Sequence, residues 1–234
     1  MAMKSPTYRQ RLTLRALAAM LGYPGAELRA AMPEIIEAIE AERVLKPGRL
    51  AELAALARQL AQMDPFEAET RYVDTFDRGR ATSLHLFEHV HGDSRERGPA
   101  LVDLGQTYER AGLVLEGEEL PDHLPVVLEF ASTQPDAAAR DFLAEMAHIL
   151  NAVFSALRER ESPYASVIAA VLELAGEKVQ AVPVAPEPEV DEAWAEPSAF
   201  DGCSTRGQAR PDTPQPIHIV RKSSSASTQQ GASL

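Results

Sequence analysis

Histidine side chains are concentrated in the run FDRGRATSLHLFEHVHGDSRERG, which covers residues 76–98. His85 and His89 lie four residues apart, so on a helix both could face one metal ion, as in zinc-binding helices. The glutamate that follows the first histidine of an HExxH motif is missing, and no cysteine lies nearby to complete a thiolate set. A histidine pair with apolar neighbours is more often packed or hydrogen-bonded, so we predict no metal site.

Catalytic arrangements do not assemble in the sequence either. Ser83 and Ser94 are close to histidines along the chain, but closeness in sequence does not make a nucleophile–base pair. There is no GxSxG nucleophile elbow and no GxxxxGK[ST] phosphate loop. We therefore predict a binding protein that is not an enzyme and carries no cofactor.

A second charged cluster, EELPDHLP at residues 118–125, precedes an apolar stretch. Pro121 followed by Asp122 predicts a helix start, with a carboxylate near the positive end of the helix dipole. Two interpretations remain open: an ordinary helix cap, or an acidic surface that meets a basic peptide. In the second case the neighbouring His123, which titrates near neutral pH, would make the affinity depend on pH.

The elements that position these clusters are predicted to be helices. Apolar residues recur at helical spacing up to about residue 180, and no alternating strand pattern competes with them. Asp64-Pro65-Phe66-Glu67 predicts a helix start, with Asp64 as N-cap, Pro65 at the first position and Glu67 completing a capping box. The fold class is therefore all-α, a single helical bundle. The elements expected later in the chain are a short helix over 82–90, a helix after Gly98-Pro99 that extends to Leu115, a helix from Pro121, a long helical run from Phe142 to Leu157, and a helix after Ser162-Pro163.

Composition sets limits on the class of partner and on the compartment. The net charge is −12, which argues against a nucleic-acid surface. The one cysteine, Cys203, cannot form a disulfide within the chain, which fits a reducing compartment. Arg15 interrupts the first apolar run, so we predict no signal peptide, and no apolar window is long enough to insert into a membrane. The expected location is the cytoplasm.

The chain is expected to divide into a helical domain, residues 1–180, and a tail, residues 181–234. The tail is rich in Pro, Ser, Glu and Gln and has few large apolar residues. Such a segment cannot bury enough apolar surface to offset the entropy lost on ordering, so we predict that the tail is disordered.

Both charged clusters resemble those of the NarJ type of assembly chaperone, within the TorD-like family of redox-enzyme maturation proteins. The resemblance rests on the run 76–98, on ALVDL at residues 100–104, on ELPDHLP at residues 119–125, and on the spacing between these blocks. It covers about residues 10–180. The signature residues of the first run are Phe76, Asp77, Arg78, Gly79, Arg80, Glu88, His89, His91, Gly92, Arg95 and Arg97.

The resemblance implies an all-α bundle that is a system-specific chaperone and not part of a finished enzyme. Its implied partner is the catalytic (alpha) subunit of respiratory nitrate reductase, bound as apoprotein and by its N-terminal peptide. The chaperone would keep that subunit competent for molybdenum-cofactor insertion before membrane attachment. Proteins that deliver the molybdenum cofactor are further implied partners.

The resemblance also places a peptide site at the second cluster. In the wider family a Pro-Asp-His element is linked to signal-peptide binding, and here it falls on Pro121, Asp122 and His123. An amphipathic peptide helix needs apolar contacts and a few charged partners. The residues expected to bind it are Pro121, Asp122, His123, Leu124, Glu119, Leu84 and Phe87, with Leu84, Phe87 and Leu124 supplying apolar surface.

Three other interpretations stay open from the sequence. Run 76–98 could be a solvated loop with internal ion pairs, which are individually weak. The client could be a different molybdoenzyme that carries a twin-arginine export signal. A metal-binding or nucleotide-binding helical protein is the alternative from another functional class.

Overall fold

The computed structural model describes residues 7–92, 94–117 and 119–183, and the predicted tail beyond residue 183 lies outside them. Within this part the chain is helical, as predicted, and a single bridge pair takes the place of any sheet. The helices are α1 (Arg11–Met20), α2 (Ala26–Glu42), α3 (Pro47–Gln62), α4 (Pro65–Phe76), α5 (Glu88–His91), α6 (Arg97–Arg110), α7 (Leu124–Thr133), α8 (Asp136–Glu145), α9 (Ala147–Glu159) and α10 (Ala165–Leu174).

Helix α10 forms the centre of the bundle. It packs against α1, α3, α8 and α9, while α1 packs against α2 and α7. Its sequence, ASVIAAVLEL, is apolar almost all round, which is the pattern of a fully buried helix rather than of a surface helix. All of its residues from Ala165 to Leu172 are buried. The core therefore surrounds α10 on every side.

The start of α4 confirms the capping prediction in part. The Asp64 carboxylate accepts a hydrogen bond from the backbone N–H of Glu67 at 3.2 Å, and Pro65 occupies the first helical turn. The Glu67 carboxylate does not return to the cap, because it pairs with Arg71 at 2.6 Å one turn further on. Only one of the two hydrogen bonds of the predicted capping box therefore forms.

The chain reverses after α10 and runs back over α9. Gly176 has φ +76°, a left-handed conformation that glycine adopts without a Cβ penalty. The backbone N–H groups of Gln180 and Val182 then donate to Asn151 Oδ1 at 2.7 Å and to Ser155 Oγ at 2.9 Å. The chain on both sides of the predicted domain end at 180 is therefore hydrogen-bonded to α9.

Two predictions for the first charged run and the helix after it are wrong in detail. Residues 82–90 do not form one helix: a 3-10 turn covers Arg80–Thr82, and α5 has four residues, because the chain between them is held by contacts to a distant segment described below. Helix α6 begins at Arg97, before Gly98-Pro99, and ends at Arg110. Leu115 therefore lies beyond the helix, since Gly112 turns the chain with φ +82°.

Two further boundaries also differ from prediction. Helix α7 begins at Leu124, three residues after Pro121, because the Asp122 side chain is engaged elsewhere and His123 is the N-cap residue. The run from Phe142 to Leu157 is two helices, with a break at Met146 between α8 and α9. Among the helices of the described residues, none combines the length and the apolar character needed to cross a lipid bilayer.

Candidate functional site

Asp122 is the buried centre of the candidate site. Its side chain is 0% exposed. One carboxylate oxygen accepts a hydrogen bond from the backbone N–H of Phe87 at 3.0 Å, and the other lies 3.4 Å from His85 Nδ1. Arg97 Nη2 is 3.9 Å away. The two clusters that the sequence singled out separately therefore meet at this carboxylate.

Backbone hydrogen bonds fix the same junction. Leu86 N–H donates to the Asp122 carbonyl at 3.1 Å, and Leu124 N–H donates to the Leu84 carbonyl at 2.8 Å. These two bonds form an antiparallel bridge that places His85 opposite His123. Their rings stack with centroids 5.0 Å apart. Pairing with residues almost forty positions away keeps this stretch extended and prevents the predicted helix.

A second polar network closes the loop of the first run. Arg97 Nη2 lies 3.1 Å from a carboxylate oxygen of Glu88, and the other oxygen of Glu88 accepts a hydrogen bond from Ser83 Oγ at 2.6 Å. His89 Nε2 lies 2.9 Å from the Ser83 carbonyl. These side chains are partly buried, so the run is a folded, internally bonded structure and not a freely solvated loop.

The two ends of the signature run are fixed by packing and by backbone conformation. Phe76 is buried and meets Tyr164 edge-on with ring centroids 4.9 Å apart. Gly92 has φ +52°, which disfavours any residue with a Cβ, and the His91 ring meets Phe87 edge-on. The remaining signature residues divide by exposure: Gly79 is buried, and Asp77, Arg78, Arg80 and Arg95 are exposed.

The histidines that suggested a metal site have protein partners. His85 faces Asp122 and His89 faces the Ser83 carbonyl, so the two side chains do not converge on one point. Across residues 7–92, 94–117 and 119–183, no group of three His, Cys, Asp or Glu side chains is arranged to hold a metal ion.

An apolar groove of about 170 Å³ lies beside this junction, between α6, the segment that follows it, and α7. Tyr108 connects the two features, because its hydroxyl donates to the Pro121 carbonyl at 2.7 Å while its ring packs on Phe130 at 4.5 Å. Val114 is 78% exposed at the groove. The groove is lined by Tyr108, Leu113, Val114, Leu115, Val126, Glu129, Phe130 and Thr133.

One carboxylate lines this groove, and two more lie on the chain that follows it. Glu129 lines it, and Glu116 and Glu119 are exposed on the segment that leads from it to Pro121. Glu119 Oε2 lies 3.1 Å from His123 Nδ1. The two groups do not form a hydrogen bond, and their contact is an ion pair only when His123 is protonated. Glu118, which the sequence grouped with Glu119, lies outside the described residues.

The histidine pair is electrostatically asymmetric. The hydrogen bond to Asp122 raises the pKa of His85 above its ordinary value, against the opposing effects of burial and of the Arg97 charge. Burial lowers the pKa of His123, against the opposing charge of Glu119. Burial acts to raise the pKa of Asp122, but His85, the Phe87 N–H and Arg97 outweigh it and hold that pKa below its usual value.

We expect His85→Gln to lower the free energy of unfolding more at about pH 5.5 than at about pH 8.5. A raised folded-state pKa contributes stability that is complete below the ordinary histidine value of 6.5 and is lost as the pH rises through the folded pKa. Urea unfolding of the variant and the wild type at both pH values measures the difference.

His123→Gln is expected to show the opposite trend. Its lowered folded-state pKa gives stability that is present above the ordinary value of 6.5 and is lost as the pH falls through the folded pKa. The loss caused by this variant should therefore be larger at the higher pH.

A loss from His85→Gln that did not change between the two pH values would contradict the assigned His85–Asp122 contact.

The residues predicted to bind a peptide divide into buried and exposed groups. Leu84 and Leu124 are core residues, 4% and 0% exposed, so the expectation that they form apolar surface is wrong in this conformation. They are buried because the bridge joins the loop to the start of α7, and both side chains belong to the main core. Phe87, Pro121 and His123 are partly exposed, and Glu119 is exposed. Peptide binding by any of these residues stays a prediction.

Three residues of the junction were not assigned to the site from sequence. Ser83 and His85 were considered only for catalysis and metal binding, and Tyr108 was not singled out. Their roles depend on contacts with Glu88, Asp122 and Pro121. No local pattern signals such long-range contacts.

Comparisons with known proteins agree on one family. A family model described as "Nitrate reductase delta subunit" matches residues 26–170. The nitrate reductase molybdenum cofactor assembly chaperone NarJ of Escherichia coli K12 is 42% identical over 201 residues, which cover 86% of this chain and 78% of that protein. Nitrate reductase-like protein NarX of Mycobacterium tuberculosis is 39% identical over 153 residues, 65% of this chain and 22% of that protein.

A solved structure also matches. A redox enzyme maturation protein of Archaeoglobus fulgidus aligns with a TM-score of 0.50 and 20% identity, over 76% of this chain and 98% of that one. At that identity the match shows the fold alone, and it confirms the predicted bundle type.

Proposed function

The chain belongs to the nitrate reductase delta subunit family, and from that premise we propose that it is an assembly chaperone for respiratory nitrate reductase. It binds the catalytic subunit as apoprotein, keeps it competent for molybdenum-cofactor insertion, and does not remain in the mature enzyme. The observation that carries this proposal is the 42% identity to a relative named as a molybdenum cofactor assembly chaperone, over 86% of the chain. The apolar groove between α6 and α7 supports it as a surface that a partner could occupy.

The finer part of the proposal concerns the client segment. The chaperone recognises the N-terminal peptide of the catalytic subunit in the cytoplasm, before that subunit attaches to its membrane partner. Such a peptide combines apolar and basic residues, and the α6–α7 groove offers the complementary chemistry. Its lining is mainly apolar and includes Glu129, and Glu116 and Glu119 are exposed on the chain between the groove and Pro121.

The predicted peptide-binding residues take different roles in this proposal. Glu119, Phe87 and His123 can touch the peptide, since they have exposed surface. Asp122, Leu84 and Leu124 are buried, so they act by holding the exposed residues in place. Proteins that deliver the molybdenum cofactor could meet the chaperone while the client is bound.

We expect Val114→Asp to weaken binding of the client's N-terminal peptide by about tenfold or more. Val114 lines the groove, and loss of one buried valine contact costs about 1.5–3 kcal/mol, while 1.4 kcal/mol is a factor of ten in Kd. The measurement is calorimetric titration of the full chain with that peptide. Val102→Asp is the matched control, because Val102 is 59% exposed on α6 and does not line the groove.

The same titration tests the family-level function separately from the site. The wild type could bind the peptide with an affinity that neither Val114→Asp nor His123→Ala changes. That result would agree with the chaperone function and would show that the peptide binds at another surface. No binding of the peptide to the wild type would contradict the proposed client segment. Tighter binding of a twin-arginine signal peptide from another molybdoenzyme would favour the alternative client.

A further inference from the structure

A second apolar groove lies between α2 and α3. It has a volume of about 220 Å³, and Arg58 is its single polar lining residue. The Arg58 Nε–H donates to the Ala54 carbonyl at 3.2 Å, one turn back on α3, and its guanidinium remains a positive charge on that wall of the groove. The apolar lining consists of Met32, Pro33 and Ile36 from α2 and Ala54, Ala57 and Ala61 from α3.

Three exposed carboxylates follow the α2 side of this groove. Glu34, Glu37 and Glu40 are spaced by three residues, so neighbouring members of the row repel each other. Within the part of the chain that the structure describes, none of the three forms an ion pair or a hydrogen bond, whereas Glu67 and Glu88 each pair with an arginine. The row therefore carries negative charge that the bundle itself does not neutralise.

Two members of the row, Glu37 and Glu40, border the groove because of helix geometry. Glu37 lies four residues after Pro33, and Glu40 lies four residues after Ile36, so each is one turn beyond a groove residue on the same side of α2. On the other side, the alanines of α3 let another backbone approach closely. The groove is thus an apolar channel with alanines and Arg58 on the α3 wall and with Glu37 and Glu40 beside the α2 wall.

The backbone around the groove selects the conformation of its occupant. Both walls are α-helices, whose N–H and C=O groups are already paired within each helix. An extended segment would find no backbone partners there, whereas a helix satisfies its own backbone and needs only side-chain contacts. The charge beside the groove therefore favours a basic ligand, and the backbone of its walls favours a helical one.

We infer that the α2–α3 groove docks a basic amphipathic helix of a partner protein, whose apolar side chains enter the groove and whose Lys or Arg side chains lie along Glu37 and Glu40. This surface is distinct from the α6–α7 groove. The inference goes beyond the proposed function and does not rest on it, because it makes no use of the N-terminal client peptide.

The test uses a defined probe on the full chain. The probe is an 18-residue peptide of Leu and Lys arranged with helical amphipathic spacing, and a peptide of the same composition with alternating spacing is the control ligand. Fluorescence anisotropy gives Kd. We expect Glu37→Lys/Glu40→Lys to weaken binding of the helical probe at least tenfold.

The matched control is Asp141→Lys/Glu145→Lys on α8, which makes the same change in net charge at exposed positions. It should change Kd by less than twofold. Backbone amide NMR shifts locate the probe: the inference requires the largest shifts in Met32–Glu40 and Ala54–Ala61. Shifts confined to the α6–α7 groove, or equal weakening by both double variants, would overturn it. A dimer of the unliganded chain that Glu37→Lys/Glu40→Lys dissociates would also overturn it, in favour of a second copy as the occupant.

Discussion

Replacing Asp122 with alanine is expected to lower the free energy of unfolding by about 3 kcal/mol, which is typical when one partner of a buried ionic contact is removed. The carboxylate is fully buried, and it is the acceptor for the Phe87 N–H and the nearest counter-charge to His85. Arg97, already partnered by Glu88, would lose its second carboxylate. Urea denaturation followed by circular dichroism measures the change.

Two companion variants separate this structural role from a direct role in binding. Asp122→Asn keeps the shape and one acceptor, so its loss should be about half as large or less. Glu119→Ala changes an exposed residue of the same segment and should stay within about 0.5 kcal/mol of the wild type. If Asp122→Ala were as stable as Glu119→Ala, Asp122 would not be the centre of the junction. Peptide affinities of the Asp122 variants should be compared at a temperature where each is folded.

Replacing Tyr108 with alanine is expected to cost about 3–5 kcal/mol, the range for removal of a large buried aromatic ring. The ring is 3% exposed, packs on Phe130, and belongs to a small cluster that also contains Leu104. Its loss leaves a cavity below the α6–α7 groove. Thermal and urea unfolding of the variant measure the cost.

Tyr108→Phe isolates the hydroxyl from the ring. This variant keeps the packing and removes the hydrogen bond to the Pro121 carbonyl, which is worth about 1 kcal/mol. We also expect it to weaken peptide binding modestly, since Pro121 is then held by fewer contacts. Equal destabilisation by both substitutions would show that the ring contributes little and would contradict the packing described for Phe130.

The helices that depend on local signals were predictable from the sequence. Asp64-Pro65 marks the start of α4 because a cap acts within one turn of its own residue. The apolar run of α10 predicts burial in the same way, since side-chain period and chemistry are local properties. For such elements, tertiary contacts agreed with what the local sequence favours.

The candidate site was predictable in its location but not in its geometry. The sequence singled out both charged clusters, yet it predicted a helix start at Pro121 and a helix over residues 82–90. Both errors have one cause, a contact between Asp122 and the Phe87 N–H across 35 positions, which replaces the local options of each segment. Burial of Leu84 and Leu124 follows from the same contact. Sequence spacing does not reveal a pairing at that distance.

The separation of the hydrophobic interior into two clusters has a consequence for how the molecule can open. Leu104, Tyr108 and Phe130 form a small cluster apart from the main core around α10. Segments that bury few apolar contacts can unfold locally while the rest of a domain stays native. A client that displaced α6 would therefore need to overcome the free energy of one small cooperative unit, not that of the bundle. The Asp122 segment lies between the two clusters, because the Tyr108 hydroxyl of the small cluster donates to the Pro121 carbonyl and Leu124 belongs to the main core.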